Sequence, residues 1–68
     1  MSRQSFSVGD VIDARITRVL PFGAFVERVG GFDCLIVTKE PLPGAGSVIA
    51  VRIAEIDEEN GRMRLTRA

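Results

Sequence analysis

Apolar and polar residues alternate with a period of two along most of this chain, and Gly, Pro and Asn interrupt the alternation at short intervals. From Val11 to Leu20, Ile12, Ala14, Ile16 and Leu20 share one face while Asp13, Arg15 and Thr17 share the other, the pattern of a half-buried strand. Val8-Gly9-Asp10 is the turn that feeds it. Pro21-Phe22-Gly23 ends the run, because Pro21 has no N–H for a ladder and Gly23 relieves crowding where the backbone bends. A second strand follows over Ala24–Val29, a Gly30-Gly31 hairpin turn, and an apolar third strand over Phe32–Val37. Glu40 to Ser47 holds two Pro and two Gly residues and reads as a loop. Val48–Ile56 is a fourth strand, with Ile49, Val51 and Ile53 on one face. Asp57 to Gly61 is a turn in which Asn60-Gly61 is a strong hairpin signal. Arg62–Thr66 is the fifth strand, with Met63 and Leu65 facing in and Arg62, Arg64 and Thr66 facing out.

No segment carries the period of a long helix. Five short strands in so short a chain predict a closed sheet, because a flat one leaves an apolar face in water and two open edges. The expected fold is all-β, a small five-stranded barrel with one Pro/Gly loop between strands three and four.

Composition narrows the function more than the fold. The 68 residues allow one domain, with a core expected over about residues 6–67. Hydrophobic residues are 46% of the chain, enough for a packed interior. Nine basic residues balance nine acidic ones, so the bulk positive charge usual in nucleic-acid binders is missing and any such binding must use a local patch. There is no His and a single Cys, Cys34, which excludes an internal disulfide and leaves a zinc or iron–sulfur site without a donor set. Cys34 is expected to be a small buried or half-buried hydrophobe. No apolar run approaches a membrane span and the first residues lack a signal-peptide pattern, so the expected location is the cytosol. Neither a nucleophile–base pair nor a cofactor motif is present; the expectation is a non-enzyme that takes no cofactor and no metal.

The most informative stretch is Pro21-Phe22-Gly23-Ala24-Phe25-Val26. Two Phe residues bracket small neighbours at the start of a strand. An aromatic face beside small residues is a stacking platform for bases, worth roughly 1–3 kcal/mol per base. Both Phe residues can equally be core in so small a domain, and the alternation alone leaves the two readings level. If Ala24 and Val26 face inward, Phe25 points outward.

Taken together, Val8-Gly9-Asp10-Val11-Ile12, Ile16-Thr17-Arg18-Val19, Phe22-Gly23-Ala24-Phe25-Val26, Gly30 to Ile36, and the ending from Ile53-Ala54-Glu55-Ile56-Asp57 through Asn60-Gly61-Arg62-Met63-Arg64-Leu65-Thr66 resemble the S1 RNA-binding domain family. The resemblance runs from Phe6 to Arg67. It implies a five-stranded antiparallel OB-fold barrel with an RNA face on strands two and three. It implies that Phe22 and Phe25 stack on bases, and that Asp57 and Arg62 complete the patch. Three positions depart from the family pattern. Val37 stands where a polar residue, commonly His, lies beside the aromatics, and it has no donor to offer RNA. Cys34 stands where Gly is usual. The loop Glu40–Ser47 is shorter than the family's linker.

The remaining charged and aromatic residues divide the same way. Arg62 and Arg64 share a face and can meet phosphates, or they can be a solvated strand face that keeps a small barrel soluble. Lys39, the sole lysine, follows strand three and is a candidate phosphate contact. Phe32, beside the Gly-Gly turn, either extends the stacking surface or caps the barrel, with the surface role preferred. Phe6 is expected to pack the N-terminal arm against the barrel. Arg15 and Arg18 lie on strand one at opposite parity. Glu55, Asp57, Glu58 and Glu59 form an acidic cluster read mainly as turn chemistry.

The expected function is an S1-type module that binds single-stranded RNA weakly and with little sequence preference, in translation or RNA metabolism. Its candidate contacts are Phe22, Phe25, Phe32, Val37, Lys39, Asp57, Arg62 and Arg64. A protein partner or the ribosome is a further expected contact, and no membrane is. The alternative is a protein-interaction module that uses the same aromatic face and binds no RNA.

Overall fold

The alternating segments become β1 (Val11–Leu20), β2 (Gly23–Val29), β3 (Phe32–Val37), β4 (Val48–Asp57) and β5 (Arg62–Arg67) in the computed structural model, which describes residues 6–68. They close into a barrel in the order β1-β2-β3-β5-β4, with β1 joined to β4. Each strand gives two residues, two apart, to the fully buried interior: Ala14 and Ile16, Ala24 and Val26, Cys34 and Ile36, Val51 and Ile53, Met63 and Leu65. This is the period of two doing what it must in a closed sheet, one side chain in and the next out. Ile12, Ile49, Ile56 and Phe6 pack around that interior half-buried, so Phe6 sits where the sequence placed it. No buried side-chain polar atom among the described residues lacks a hydrogen bond.

Four of the seams are antiparallel, but β3 and β5 run parallel, with Cys34 opposite Met63 and Ile36 opposite Leu65. The all-antiparallel barrel expected from the sequence is thus modified at one seam. Alternation fixes which side chains face inward but carries no information on the direction of a strand's partner.

β1 serves two neighbours. Val11 to Arg15 pair with β4, and Ile16 to Leu20 pair with β2. The handover is held by the β3–β4 loop: Gly46 N–H donates to the Ile16 carbonyl at 2.7 Å, and Ile16 N–H donates to the Ser47 carbonyl at 2.8 Å. The register slips here, between Ile16 and Arg18. A bulge of this kind interrupts the regular pairing, and beyond it Val19, opposite Ala24, is exposed. Leu20, expected on the core face with Ile12, Ala14 and Ile16, pairs with Gly23 at the end of the strand and lies outside the core cluster, half-buried.

The turns follow their residues. Gly30 and Gly31 both have positive φ, 57° and 85°, and close the two-residue β2–β3 hairpin between Val29 and Phe32. The β4–β5 hairpin closes between Asp57 and Arg62, a four-residue loop in which Gly61 alone adopts positive φ, at 63°. Asn60 therefore does not build the two-residue turn typical of Asn-Gly. Instead Asp57 holds the loop. The Asn60 backbone N–H donates to its Oδ1 at 3.2 Å and the Asn60 side-chain amide to its Oδ2 at 2.8 Å.

Candidate nucleic-acid interface

Gly23 sets the geometry of the aromatic stretch. It pairs with Val37 so closely that a Cβ built on it would lie 1.8 Å from the Ile36 carbonyl oxygen. Only a residue without a side chain lets β2 and β3 approach this far. The requirement is space, since Gly23 is not among the glycines of positive φ. Beyond it, Ala24 and Val26 point into the core, and Phe25 between them is turned out, 45% exposed. Phe22 occupies the Pro21-Phe22 turn between β1 and β2 and is 56% exposed. The turn is pinned by Thr38 N–H, which donates to the Phe22 carbonyl at 3.0 Å. Neither aromatic is core.

The cross-strand register lays out the outer face. One row runs Phe25, Leu35, Arg64, Glu55 over β2, β3, β5 and β4. At about 4.8 Å per strand it spans about 14 Å. A second row, one pleat away, runs Asp33, Arg62, Asp57. The two rows wall a groove of about 770 Å³ on this side of the barrel. Val37, at the end of β3, is 43% exposed beside the bare Gly23 and extends the apolar part of the face past Leu35. Leu35 escaped the sequence reading. Its parity with Asp33 and Val37 was the available signal.

The charges in the groove are less free than their identities promise. Arg64 Nη2 donates to Glu55 Oε2 at 2.6 Å, an ion pair with both side chains more than half exposed. Arg28 Nε lies 3.3 Å from Asp33 Oδ1. Asp57 spends both oxygens on Asn60, and its carboxyl is held below the usual carboxylate range, first by the Asn60 side-chain amide, then by the Asn60 N–H, with a smaller contribution from Arg62. Arg62 is exposed and has no ion-pair partner among the described residues. The groove's lining carries three carboxylates, Asp33, Glu55 and Asp57, against two guanidiniums, Arg62 and Arg64.

The sequence-derived candidates therefore separate. Phe25, Asp57, Arg62 and Arg64 meet around the groove. Phe22 and Val37 lie beside it on the turn and the end of β3. Phe32 is half-buried, packs against the core and is not part of the groove wall. Lys39 is exposed in the loop after β3, also away from the groove. Cys34 is buried, as expected. Burial pushes its thiol up from the ordinary value, and its Sγ lies 3.4 Å from the Phe32 carbonyl. An unactivated thiol in a barrel interior has no nucleophilic role.

No family model matches the chain. It is 34% identical to the small ribosomal subunit protein bS1 of Staphylococcus aureus over 93% of its own length and 18% of that protein's. It is 37% identical to the polyribonucleotide nucleotidyltransferase of Bacillus cereus over 88% of its length and 10% of that protein's. Among solved structures, GSP13 from Bacillus subtilis superposes with a TM-score of 0.76 at 24% identity, over 96% of this chain and 58% of that one. The chain is an S1-type OB fold. It spans less than a fifth of the length of these curated relatives, so what the S1-type barrel shares with them is this unit. Among the described residues no helix is long and apolar enough to cross a membrane.

Proposed function

We propose that this S1-type barrel is a single-stranded RNA-binding module, that it works in translation or RNA metabolism in the cytosol, and that it catalyses nothing. The observation that carries the reading is Phe25, turned out of the barrel between two buried neighbours on a groove that also holds Arg62, which has no ion-pair partner among the described residues. Bases stack on Phe25 and on Phe22, and Arg62 meets a phosphate or a base edge. The relatives point the same way: one is a ribosomal protein, and the other's name identifies a polyribonucleotide as what it acts on. Arg64 contributes little while Glu55 holds it, and Asp57 has only its spare lone pairs for a sugar hydroxyl. With more carboxylates than guanidiniums in the groove, affinity rests on stacking and is weak for a single module.

The rival, a protein-binding face, is favoured by one feature: Val37 lengthens the apolar strip where RNA would find a donor. One titration separates the two. Backbone NMR shifts are followed as a short single-stranded RNA is added at low and at moderate salt. Shifts centred on Phe22, Phe25 and Arg62, weakened by salt and lost in Phe22→Ala/Phe25→Ala, support RNA binding. An unchanged spectrum at high RNA concentration and low salt overturns it in favour of the protein-binding face.

A further inference from the structure

The groove raises a question that its own residues leave open. Stacking on Phe25 brings the negatively charged backbone of a strand close to the barrel, yet on the groove side of Phe25 three carboxylates outnumber two guanidiniums, one of which is paired to Glu55. The other side of Phe25 is β1. There the register slip between Ile16 and Arg18 sets Arg18 directly opposite Phe25, both exposed on the outer face. Residues directly opposite in an antiparallel pair have Cβ atoms about 5 Å apart. Without the bulge, continuing the Ile16–Val26 pairing would put Thr17 opposite Phe25. With it, Thr17 instead fixes the local backbone, its Oγ1 donating to the Phe25 carbonyl at 3.2 Å.

Arg18 also differs from the neighbouring cations in being free. Arg15 is paired to Glu27 at 3.1 Å, Arg28 to Asp33 at 3.3 Å and Arg64 to Glu55 at 2.6 Å, whereas Arg18 has no ion-pair partner among the described residues. Arg62, equally unpaired, has a carboxylate opposite it on each flanking strand, Asp33 and Asp57. Arg18 has Phe25 on one side. On the other, pairing between β1 and β4 has already ended at Arg15.

Resting on the RNA reading above, we infer that Arg18 is a phosphate-binding residue, which holds the backbone of the strand on the β1 side of Phe25 while the stacked base leans toward the groove. The carboxylates repel phosphate from one side and Arg18 attracts it on the other, so together they set the side on which the backbone runs. A guanidinium suits the task, with its planar fork of donors matched to phosphate oxygens.

The test compares Arg18→Gln with Arg15→Gln. Both remove one positive charge from β1, but only Arg15 is ion-paired. Affinity for a mixed-sequence single-stranded RNA decamer is measured from about 20 to 200 mM salt by fluorescence anisotropy, with thermal melting as the check on folding. Each phosphate contact contributes roughly 0.7 to the slope of log affinity against log salt. Arg18→Gln is expected to flatten the slope by about that amount and to weaken binding roughly fivefold at the lowest salt, whereas Arg15→Gln leaves the slope unchanged. Equal effects of the two substitutions, with the wild type binding and Phe25→Ala weakening it, overturn the role of Arg18 alone. A wild type that does not bind the decamer even at the lowest salt overturns the RNA reading, and Arg18 with it.

Discussion

Gly23 and Phe25 show how single residues divide the work of this barrel. Gly23 is there for the fold: any Cβ meets the Ile36 carbonyl. Gly23→Ala is expected to force β2 and β3 apart and to lower stability by about 2 kcal/mol or more, the range for backbone overcrowding in a packed core, read as a drop in the urea midpoint. Phe25 is there for the surface. Its truncation to Ala is expected to cost roughly 1–3 kcal/mol of RNA affinity and to leave the melting temperature within a few degrees, because the side chain points out of the barrel and is not part of the core cluster. A mutant that instead melts early shows that Phe25 serves packing. Much at this scale was legible in the sequence. The small-residue pair between two Phe residues implied an outward Phe25 once Ala24 and Val26 were assigned to the core. What was not legible were the ion pairs. Glu55 and Arg64 are nine positions apart and meet only because β4 folds back on β5, so the sequence could place Arg64 on the outer face, as phosphate support or solvated surface, without showing the carboxylate beside it.

The β4–β5 hairpin is the element most exposed to acid. Asp57 accepts from Asn60 twice, and both bonds favour the ionised carboxylate, so its folded pKa lies below its unfolded one. The sign follows: the stabilisation is complete above the ordinary Asp value, about 3.9, and is lost as pH falls through the lower folded value. An NMR titration from pH 6 downward is expected to move the Asn60 side-chain amide with a midpoint below the ordinary Asp value. That transition should vanish in Asp57→Ala, whose hairpin amides exchange faster. A midpoint at or above the ordinary value contradicts the double hydrogen bond. This turn also marks a limit of local signals. Asn60-Gly61 correctly announces a hairpin, but its usual two-residue form would need positive φ at Asn60, and the Asp57 carboxylate organises a four-residue loop instead. The β1 bulge is a second limit. Nothing in Ile16-Thr17-Arg18 advertises an extra residue, because the slip depends on where the β3–β4 loop grips β1. That one slip put Arg18, and not Thr17, opposite Phe25.

At the scale of the barrel, ten buried side chains among the described residues, supplied in pairs by five strands, make a core with little to spare. Ile53→Ala, at a position with no exposure, is expected to cost about 2–5 kcal/mol. That is a large share of the stability of a domain this size, and circular dichroism should find the variant largely unfolded at 37 °C. Cys34 offers a built-in reporter of the same cooperativity. Buried and with its thiol pushed up, it is expected to react with an alkylating reagent only when the barrel opens, so its labelling rate should follow global stability across the core variants. Rapid labelling in the intact barrel excludes the buried environment. The five-stranded closure itself was foreseeable from alternation and turns, since few other arrangements bury one face of so short a set of strands. The direction of the β3–β5 seam was not.

That seam has a consequence for how the chain is made. β3 is synthesised early, but its second neighbour is β5, about thirty residues later in the chain. A nascent chain emerging from one end therefore carries Cys34 and Ile36 next to a missing stave until Met63 and Leu65 have cleared the exit. Until then any sheet that forms has an unpaired β3 edge. Closure of the barrel is then expected to wait until β5 is available to pair with β3.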